Sequence, residues 1–179
     1  MPAESARVST EVDDEFEIRR VYDAPRERVW KARTDPAEFA KWWSPKGCAI
    51  RAIKHEIRLG GMFHYTMAFQ PGHEMFCRFV YREIAPPGRL VFVNSFSDAE
   101  GGITRAPFPQ IGETWPLEVA NTMTLTERDG KTTVTLRSGP INATEAERRT
   151  FAGARDQMRQ AYGASLEQLA DYLASASDK

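Results

Sequence analysis

A histidine and a tyrosine in the middle of the chain are the residues best suited to move a proton. The alternation of residues 50–59 places His55 on an otherwise apolar strand face, where a desolvated imidazole can titrate near neutral pH. A buried tyrosine such as Tyr65 is a second candidate acid or base. The competing interpretation of His55 is a core histidine that donates one hydrogen bond. His55 and Tyr65 are therefore the catalytic candidates, although no positioned acid–base pair is visible.

Imidazole and thiolate groups raise the question of a zinc site formed by His64, His73 and Cys77. The strand register separates His64 from His73 by about seven positions, on the order of 20 Å, and points His64 away from Cys77. The two cysteines, Cys48 and Cys77, form no CxxC pair. The chain also lacks the glycine spacings of nucleotide-binding loops and the GxSxG motif. We predict no metal site and no cofactor.

The charge balance excludes several classes of partner. The 24 Lys and Arg against 25 Asp and Glu leave a formal charge of −1, so no global basic field exists to hold nucleic acid or an anionic membrane surface. No apolar run approaches the roughly 20 residues that insert across a bilayer. The start lacks the basic leader and apolar core of a signal peptide, which predicts a cytoplasmic protein. We expect residues 1–14 to be a disordered polar tail and residues 15–175 to form a single domain.

Hydrophobic periodicity predicts an α+β chain. The predicted elements in chain order are a strand at 16–22, helices at 25–35 and 37–43, strands at 50–59, 63–69, 75–84, 90–96 and 115–127, a strand from 131, and one long helix over 144–174. The connection 97–114 is long enough to cover a pocket.

Apolar matching predicts the registers of the first two hairpins. A three-residue loop pairs His55 with Met67, and the following turn pairs Tyr65 with Phe79. In both pairs the facing residues share the apolar side of the sheet.

The last hairpin and the last helix carry the clearest local signals. A type I′ turn at Asp129-Gly130 pairs Leu125 with Val134. Thr144 and Glu147 have the spacing of a capping box at the start of the final helix.

Several ordered motifs resemble one known family. They are the run Phe-Glu-Ile-Arg-Arg-Val-Tyr-Asp-Ala-Pro, Val29-Trp30, Thr34-Asp35-Pro36, Trp42-Trp43, the turn Leu59-Gly60-Gly61-Met62-Phe63, Glu83-Ile84, Pro86-Pro87 and Arg89-Leu90-Val91-Phe92. Over about residues 15–174 the chain resembles the family related to the C-terminal domain of the activator of Hsp90 ATPase, within the START-like (SRPBCC) superfamily. The resemblance implies a helix-grip fold, in which a curved antiparallel sheet of about six to seven strands wraps around a long C-terminal helix. It also implies two short helices after the first strand.

The resemblance further implies a deep cavity between sheet and helix that holds a lipid-like or aromatic molecule. Asn94 and Asn121 would either orient a polar group of that molecule or bridge neighbouring strands. The residues expected to line the cavity are Trp43, His55, Phe63, Tyr65, Met67, Phe79, Phe92, Asn94, Val119, Asn121, Met158 and Tyr162. Many family members carry a Gly-Trp pair where this chain has Ala161-Tyr162-Gly163, so we expect a different pocket floor.

These features predict a protein that binds a small hydrophobic molecule, as a monomer or a homodimer. One alternative is a cofactor-independent enzyme of the cyclase, dehydratase or aromatase kind that works through His55 or Tyr65. Another is a chaperone-binding module, which an exposed apolar patch at Trp42-Trp43 would favour.

Overall fold

The computed structural model describes residues 15–176, so the tail predicted for residues 1–14 lies outside the described residues. The elements in chain order are β1 (Phe16–Tyr22), α1 (Arg26–Thr34), α2 (Pro36–Trp42), β2 (Ala49–His55), β3 (Met62–Ala68), β4 (Glu74–Ala85), β5 (Arg89–Ser97), β6 (Glu118–Arg128), β7 (Lys131–Ile141), α3 (Glu145–Gly153) and α4 (Arg155–Ala176). The seven strands form one antiparallel sheet in the order β1-β7-β6-β5-β4-β3-β2. The long helix α4 packs against β1, α1 and α2. The predicted α+β fold, with a curved sheet and two short helices after β1, is confirmed.

Asp35 separates the two short helices because it precedes a proline. A residue before proline is disfavoured in the helical region, and Asp35 is extended, with φ −79° and ψ 119°. Its carboxylate accepts hydrogen bonds from the amides of Ala37 and Glu38, at 2.9 and 3.1 Å, and so caps α2. Trp42 donates its indole N–H to the carbonyl of Ala32 at 2.9 Å. These contacts hold α2 against α1.

The hairpin of β6 and β7 has the predicted register. Asp129 and Gly130 both adopt positive φ, 54° and 74°, as a type I′ turn requires. Leu125 lies opposite Val134. The local turn residues therefore specify this pairing.

The register predicted for β2 and β3 is wrong by four residues at His55 and, beyond a bulge between Ala52 and Lys54, by five residues at 49–52. His55 lies opposite Phe63 rather than Met67, because β2 ends at His55 and residues 56–61 form a wider loop that is hydrogen-bonded to β4. Leu59, expected on the apolar face, is 70% exposed. Because a shift by an even number preserves the face of each residue, His55 still lies beside Phe63 on the inner side.

The register predicted for β3 and β4 is wrong by two residues. Tyr65 lies opposite Cys77 rather than Phe79. The turn lies one residue earlier than predicted, at residues 69–73 instead of 70–74, which places Ala68 opposite Glu74 and leaves Phe69 58% exposed. Here too the shift is even, so Tyr65 and Phe79 remain on the same face.

The single helix predicted over residues 144–174 is in fact two helices. The capping box of Thr144 and Glu147 is present as predicted. The helix is then interrupted at Ala154, whose φ of −96° and ψ of 1° lie outside the helical region. The break separates Phe151 on α3 from Met158 on α4, and both of these side chains line the cavity described next.

Candidate functional site

A cavity of about 220 Å³ lies between the sheet and the C-terminal helices. We call it the sheet–helix cavity. Its lining residues are Phe16, Trp43, Pro45, Tyr65, Met67, Cys77, Phe79, Asn94, Ser95, Phe96, Trp115, Val119, Ser138, Phe151, Met158, Ala161, Tyr162 and Ser165. None of these side chains carries a formal charge at neutral pH, so the wall is apolar with a few neutral polar groups.

Strand and helix periodicity explain how the two sides of this cavity are built. Alternate residues of a strand face one side, which brings the rings of Tyr65 and Phe79 to 5.4 Å between centroids. Met158 and Tyr162 are four residues apart on α4 and therefore share a helix face. The ring of Tyr162 packs 5.6 Å from that of Phe16 on β1. Aromatic contacts thus connect the helix and the sheet within the cavity wall.

Most of the twelve predicted lining residues lie together in this wall. The eight that do so are Trp43, Tyr65, Met67, Phe79, Asn94, Val119, Met158 and Tyr162. His55 and Phe63 line a different cavity, while Phe92 and Asn121 are buried behind the wall.

The wall also contains residues that the sequence did not single out. Phe16 and Phe151 occupy apolar positions of a predicted strand and a predicted helix, so periodicity indicated their burial but not their position in a cavity wall. Trp115 was predicted to begin a strand, but β6 begins at Glu118, so Trp115 belongs to the connection that follows β5. Residues 97–114 of this connection were expected to cover a pocket. Arg105 in the same connection forms an ion pair with Glu147 on α3 at 2.7 Å, which ties the connection to the helix.

A second cavity of about 340 Å³ lies between α2 and β2. We call it the helix α2 cavity, and its wall includes Phe39, His55 and Phe63. Trp43 belongs to the walls of both cavities. Its ring stacks on Phe39 at 4.9 Å and meets Phe79 edge-on at 5.5 Å. Trp43 therefore lies between the two cavities.

His55 is a half-buried base in the helix α2 cavity. Its Nε2 atom lies 3.1 Å from the hydroxyl of Tyr81, and its ring lies 4.2 Å from that of Phe63. Burial, assisted by the positive charge of Arg33, lowers the pKa of His55 to about 4. The imidazole is therefore uncharged at neutral pH.

Burial also moves the titratable groups of the sheet–helix cavity away from neutral pH. The pKa of Tyr65 lies well above its ordinary value, chiefly because of burial and then because of Cys77 beside it. Burial likewise raises the pKa of Cys77 and that of Tyr162 to about 12 each. A thiol with a raised pKa is a poor nucleophile at neutral pH. These groups are neutral donors and acceptors.

Asn121 is fully buried, at 0% exposure, and joins three strands. Its amide nitrogen donates to Asn94 Oδ1 at 2.6 Å and to the carbonyl of Val119 at 3.1 Å. Ser138 donates its hydroxyl to Asn121 Oδ1 at 2.6 Å. The geometry is that of a strand-bridging residue, while Asn94 at the edge of the cluster also lines the sheet–helix cavity.

Arg33 on α1 is a buried charge that the sequence analysis missed. It is 1% exposed, and its guanidinium carbon lies 4.6 Å from the ring centroid of Phe39 and 4.9 Å from that of Phe92. The spacing of residues along α1 could have predicted this burial, because Arg33 follows the buried Val29 by four positions and therefore shares its helix face.

Within residues 15–176 no group of three or more His, Cys, Asp and Glu side chains is arranged to hold a metal ion. His64 instead directs Nε2 to the carbonyl of Asp98 at 3.2 Å. The helices of the same part of the chain include none with the length and apolar character needed to cross a membrane.

Comparisons with known proteins agree with this architecture. Among solved structures, one from Arthrobacter aurescens is 25% identical with a TM-score of 0.72, covering 95% of this chain and 92% of that one. One from Chromobacterium violaceum is also 25% identical, with a TM-score of 0.62, covering 88% of this chain and 95% of that one. DynU16, a protein from the dynemicin biosynthetic locus, is 21% identical with a TM-score of 0.62, covering 91% of this chain and 48% of that one.

No curated protein matches the chain. The sequence model of the family described as activator of Hsp90 ATPase homolog 1-like protein matches residues 23–174, which is nearly the whole span over which the resemblance was recognised. The chain therefore belongs to the family of activator of Hsp90 ATPase homolog 1-like proteins.

Proposed function

We propose that this protein binds one compact hydrophobic molecule, aromatic or lipid-like, in the sheet–helix cavity. The observation that carries the proposal is the uncharged wall of aromatic, aliphatic and sulfur-containing side chains between the sheet and α4. The volume of about 220 Å³ is below the roughly 300–1,000 Å³ of pockets for drug-sized ligands. A molecule with one or two rings, or a short chain, fits this size.

Two neutral polar groups in the wall can orient such a molecule. Burial raises the pKa of Tyr162 and an interaction with the side chain of Asn94 lowers it, and both side chains line the cavity. Binding sites of this kind combine a mostly apolar surface with a few polar groups that fix orientation.

Proton-transfer chemistry has less support at the predicted catalytic candidates. A general base is most effective when its pKa lies near the operating pH, whereas the pKa of His55 is about 4 and that of Tyr65 is well above its ordinary value. The chaperone-binding alternative loses the patch that would have favoured it, because Trp42 is 3% exposed and packs inside the protein.

The proposal is tested by filling the cavity. 1-Aminonaphthalene, a neutral two-ring fluorophore whose emission shifts to the blue in apolar surroundings, is titrated into the wild type and into Val119→Trp. Val119 lies in the wall and is 7% exposed, whereas Val21 on β1 is 60% exposed, so Val21→Trp is the matched control. We expect saturable binding by the wild type and the control, and binding at least tenfold weaker by Val119→Trp.

Met158→Trp fills the same cavity from α4 and replaces Val119→Trp if circular dichroism shows that the latter does not fold. The absence of saturable binding to the wild type, or equal binding by a folded cavity-filled variant, would overturn the proposal.

A further inference from the structure

A permanently charged side chain lies beside the two cavities, and the described residues provide it with no counter-ion. Arg33 is 1% exposed, and a guanidinium stays protonated in proteins. None of its three nitrogens has a hydrogen-bond partner among residues 15–176. Burying an unpaired charge is strongly unfavourable, and buried polar groups are nearly always hydrogen-bonded. The described part of the chain therefore provides the guanidinium of Arg33 with neither a hydrogen-bond acceptor nor a counter-ion.

Aromatic rings compensate the charge only in part. The guanidinium carbon of Arg33 lies 4.6, 4.9 and 6.0 Å from the ring centroids of Phe39, Phe92 and Phe79. Such rings act on the faces of the cation, whereas its N–H groups lie in the guanidinium plane and require oxygen acceptors. Burial raises the pKa of Tyr81, whereas Arg33 lowers it through its charge and through a contact with the Tyr81 hydroxyl that does not have the geometry of a hydrogen bond. This neighbouring hydroxyl is neutral, so it cannot balance the charge.

The rings around Arg33 also locate it relative to the cavities. Phe79 belongs to the wall of the sheet–helix cavity and Phe39 to that of the helix α2 cavity. The positive charge of Arg33 lowers the pKa of His55 after burial, and that of Tyr162 after burial and Asn94. Arg33 therefore lies next to rings of both cavity walls without itself lining either cavity.

We propose that the molecule bound in the sheet–helix cavity is a hydrophobic monocarboxylic acid whose carboxylate pairs with Arg33. The inference rests on the proposed function and specifies its ligand class. The planar fork of a guanidinium matches both oxygens of a carboxylate, and an apolar environment strengthens this ion pair relative to water. Because Arg33 does not itself line this cavity, the pairing requires the Phe79 ring to turn aside. One acidic group on an apolar body also suits a wall that offers no charge of its own.

Competition against 1-aminonaphthalene with two matched ligands tests the inference. At pH 7 2-naphthoate is ionised, and 2-naphthamide has the same rings and nearly the same shape without the charge. We expect the wild type to bind the acid at least tenfold more tightly than the amide. In Arg33→Met, an uncharged side chain of similar length, the two dissociation constants should agree within about twofold because only the charge-assisted pair is lost.

The outcomes separate the two proposals. Failure of the fluorophore to bind the wild type would overturn the proposed function. If the fluorophore binds but the acid has no advantage over the amide, or keeps its advantage in Arg33→Met, the carboxylate inference is wrong while cavity binding stands. Arg33→Gln replaces Arg33→Met if the latter does not bind the fluorophore.

Discussion

Two buried polar side chains, one on the sheet and one on α1, differ in the hydrogen bonds that they make. Asn121 is 0% exposed and exchanges hydrogen bonds with Asn94 and Ser138. Arg33 is 1% exposed and contacts aromatic rings, with no hydrogen bond from its guanidinium to the described residues. The first group is neutral and the second carries a full charge, so the less satisfied group is also the one for which burial costs more.

This difference separates a residue that serves the fold from one suited to recognition. The Asn121 cluster joins β5, β6 and β7 and leaves little for a ligand to add. The guanidinium N–H groups of Arg33 have no hydrogen bond to the described residues. A ligand that supplies an acceptor therefore gains more binding free energy at Arg33 than at the Asn121 cluster, whose polar groups are already hydrogen-bonded. The ligand-free protein is therefore less stable with Arg33 than it would be with an apolar side chain at this position.

The largest effect is expected for Asn121→Ala. We predict a loss of about 3 kcal/mol in the free energy of unfolding, because Asn94 and Ser138 keep buried polar groups without partners. Urea denaturation measures the change, with Thr122→Ala on the next position of β6 as a control that should lose less than about 1 kcal/mol. A loss below about 1 kcal/mol for Asn121→Ala would show that the cluster contributes little.

A change of opposite sign is expected for Arg33→Met in the ligand-free protein. Replacing an unpaired buried charge by an apolar side chain of similar length should raise the free energy of unfolding by about 1–2 kcal/mol. The control is Arg20→Met, which removes an exposed ion pair with Glu167 at 2.8 Å and should lower stability by at most about 1 kcal/mol. Destabilisation by Arg33→Met would mean that ring packing outweighs the unpaired charge.

The smallest effect is a pH dependence at His55, which has one hydrogen-bond partner and is half-buried. Its pKa falls from an ordinary value near 6.5 to about 4 in the folded protein. The unfolded chain therefore binds a proton first as the pH decreases, and the contribution of His55 to stability is lost between about pH 6.5 and 4.

In His55→Gln this loss should disappear, because glutamine does not titrate. Thermal unfolding of the two proteins at pH 7 and pH 4.5 measures the difference. Burial raises the pKa values of Glu38 and Glu147, but Arg28 and Arg105 respectively lower them below their ordinary value. These carboxylates titrate in both proteins, so their effects on stability cancel in the comparison. Parallel pH profiles for the two proteins would contradict the prediction.

The hairpins show why some pairings could be predicted and others could not. Asp129-Gly130 demands positive φ at two adjacent positions, so the turn itself determines that Leu125 faces Val134. The loop at 56–61 and the turn at 69–73 have no such local requirement, and hydrogen bonds to a third strand set the loop length. The side of the sheet that His55 and Tyr65 face was still predicted correctly. Burial of one sheet face determines which way a side chain faces more strongly than it determines which residue lies opposite.

The sequence by itself determined the order of the strands and helices, the β6–β7 register, the capping box and most of the apolar residues that meet in the sheet–helix cavity. All of these follow from periodicity and from backbone preferences within a few neighbouring residues. Only the tertiary structure decided that the C-terminal helix breaks at Ala154 and that Arg33 is buried without a hydrogen-bonded counter-ion among residues 15–176. The free energy of a charge depends on everything around it, and the rings around Arg33 come from α2, β4 and β5, which are far apart in the chain.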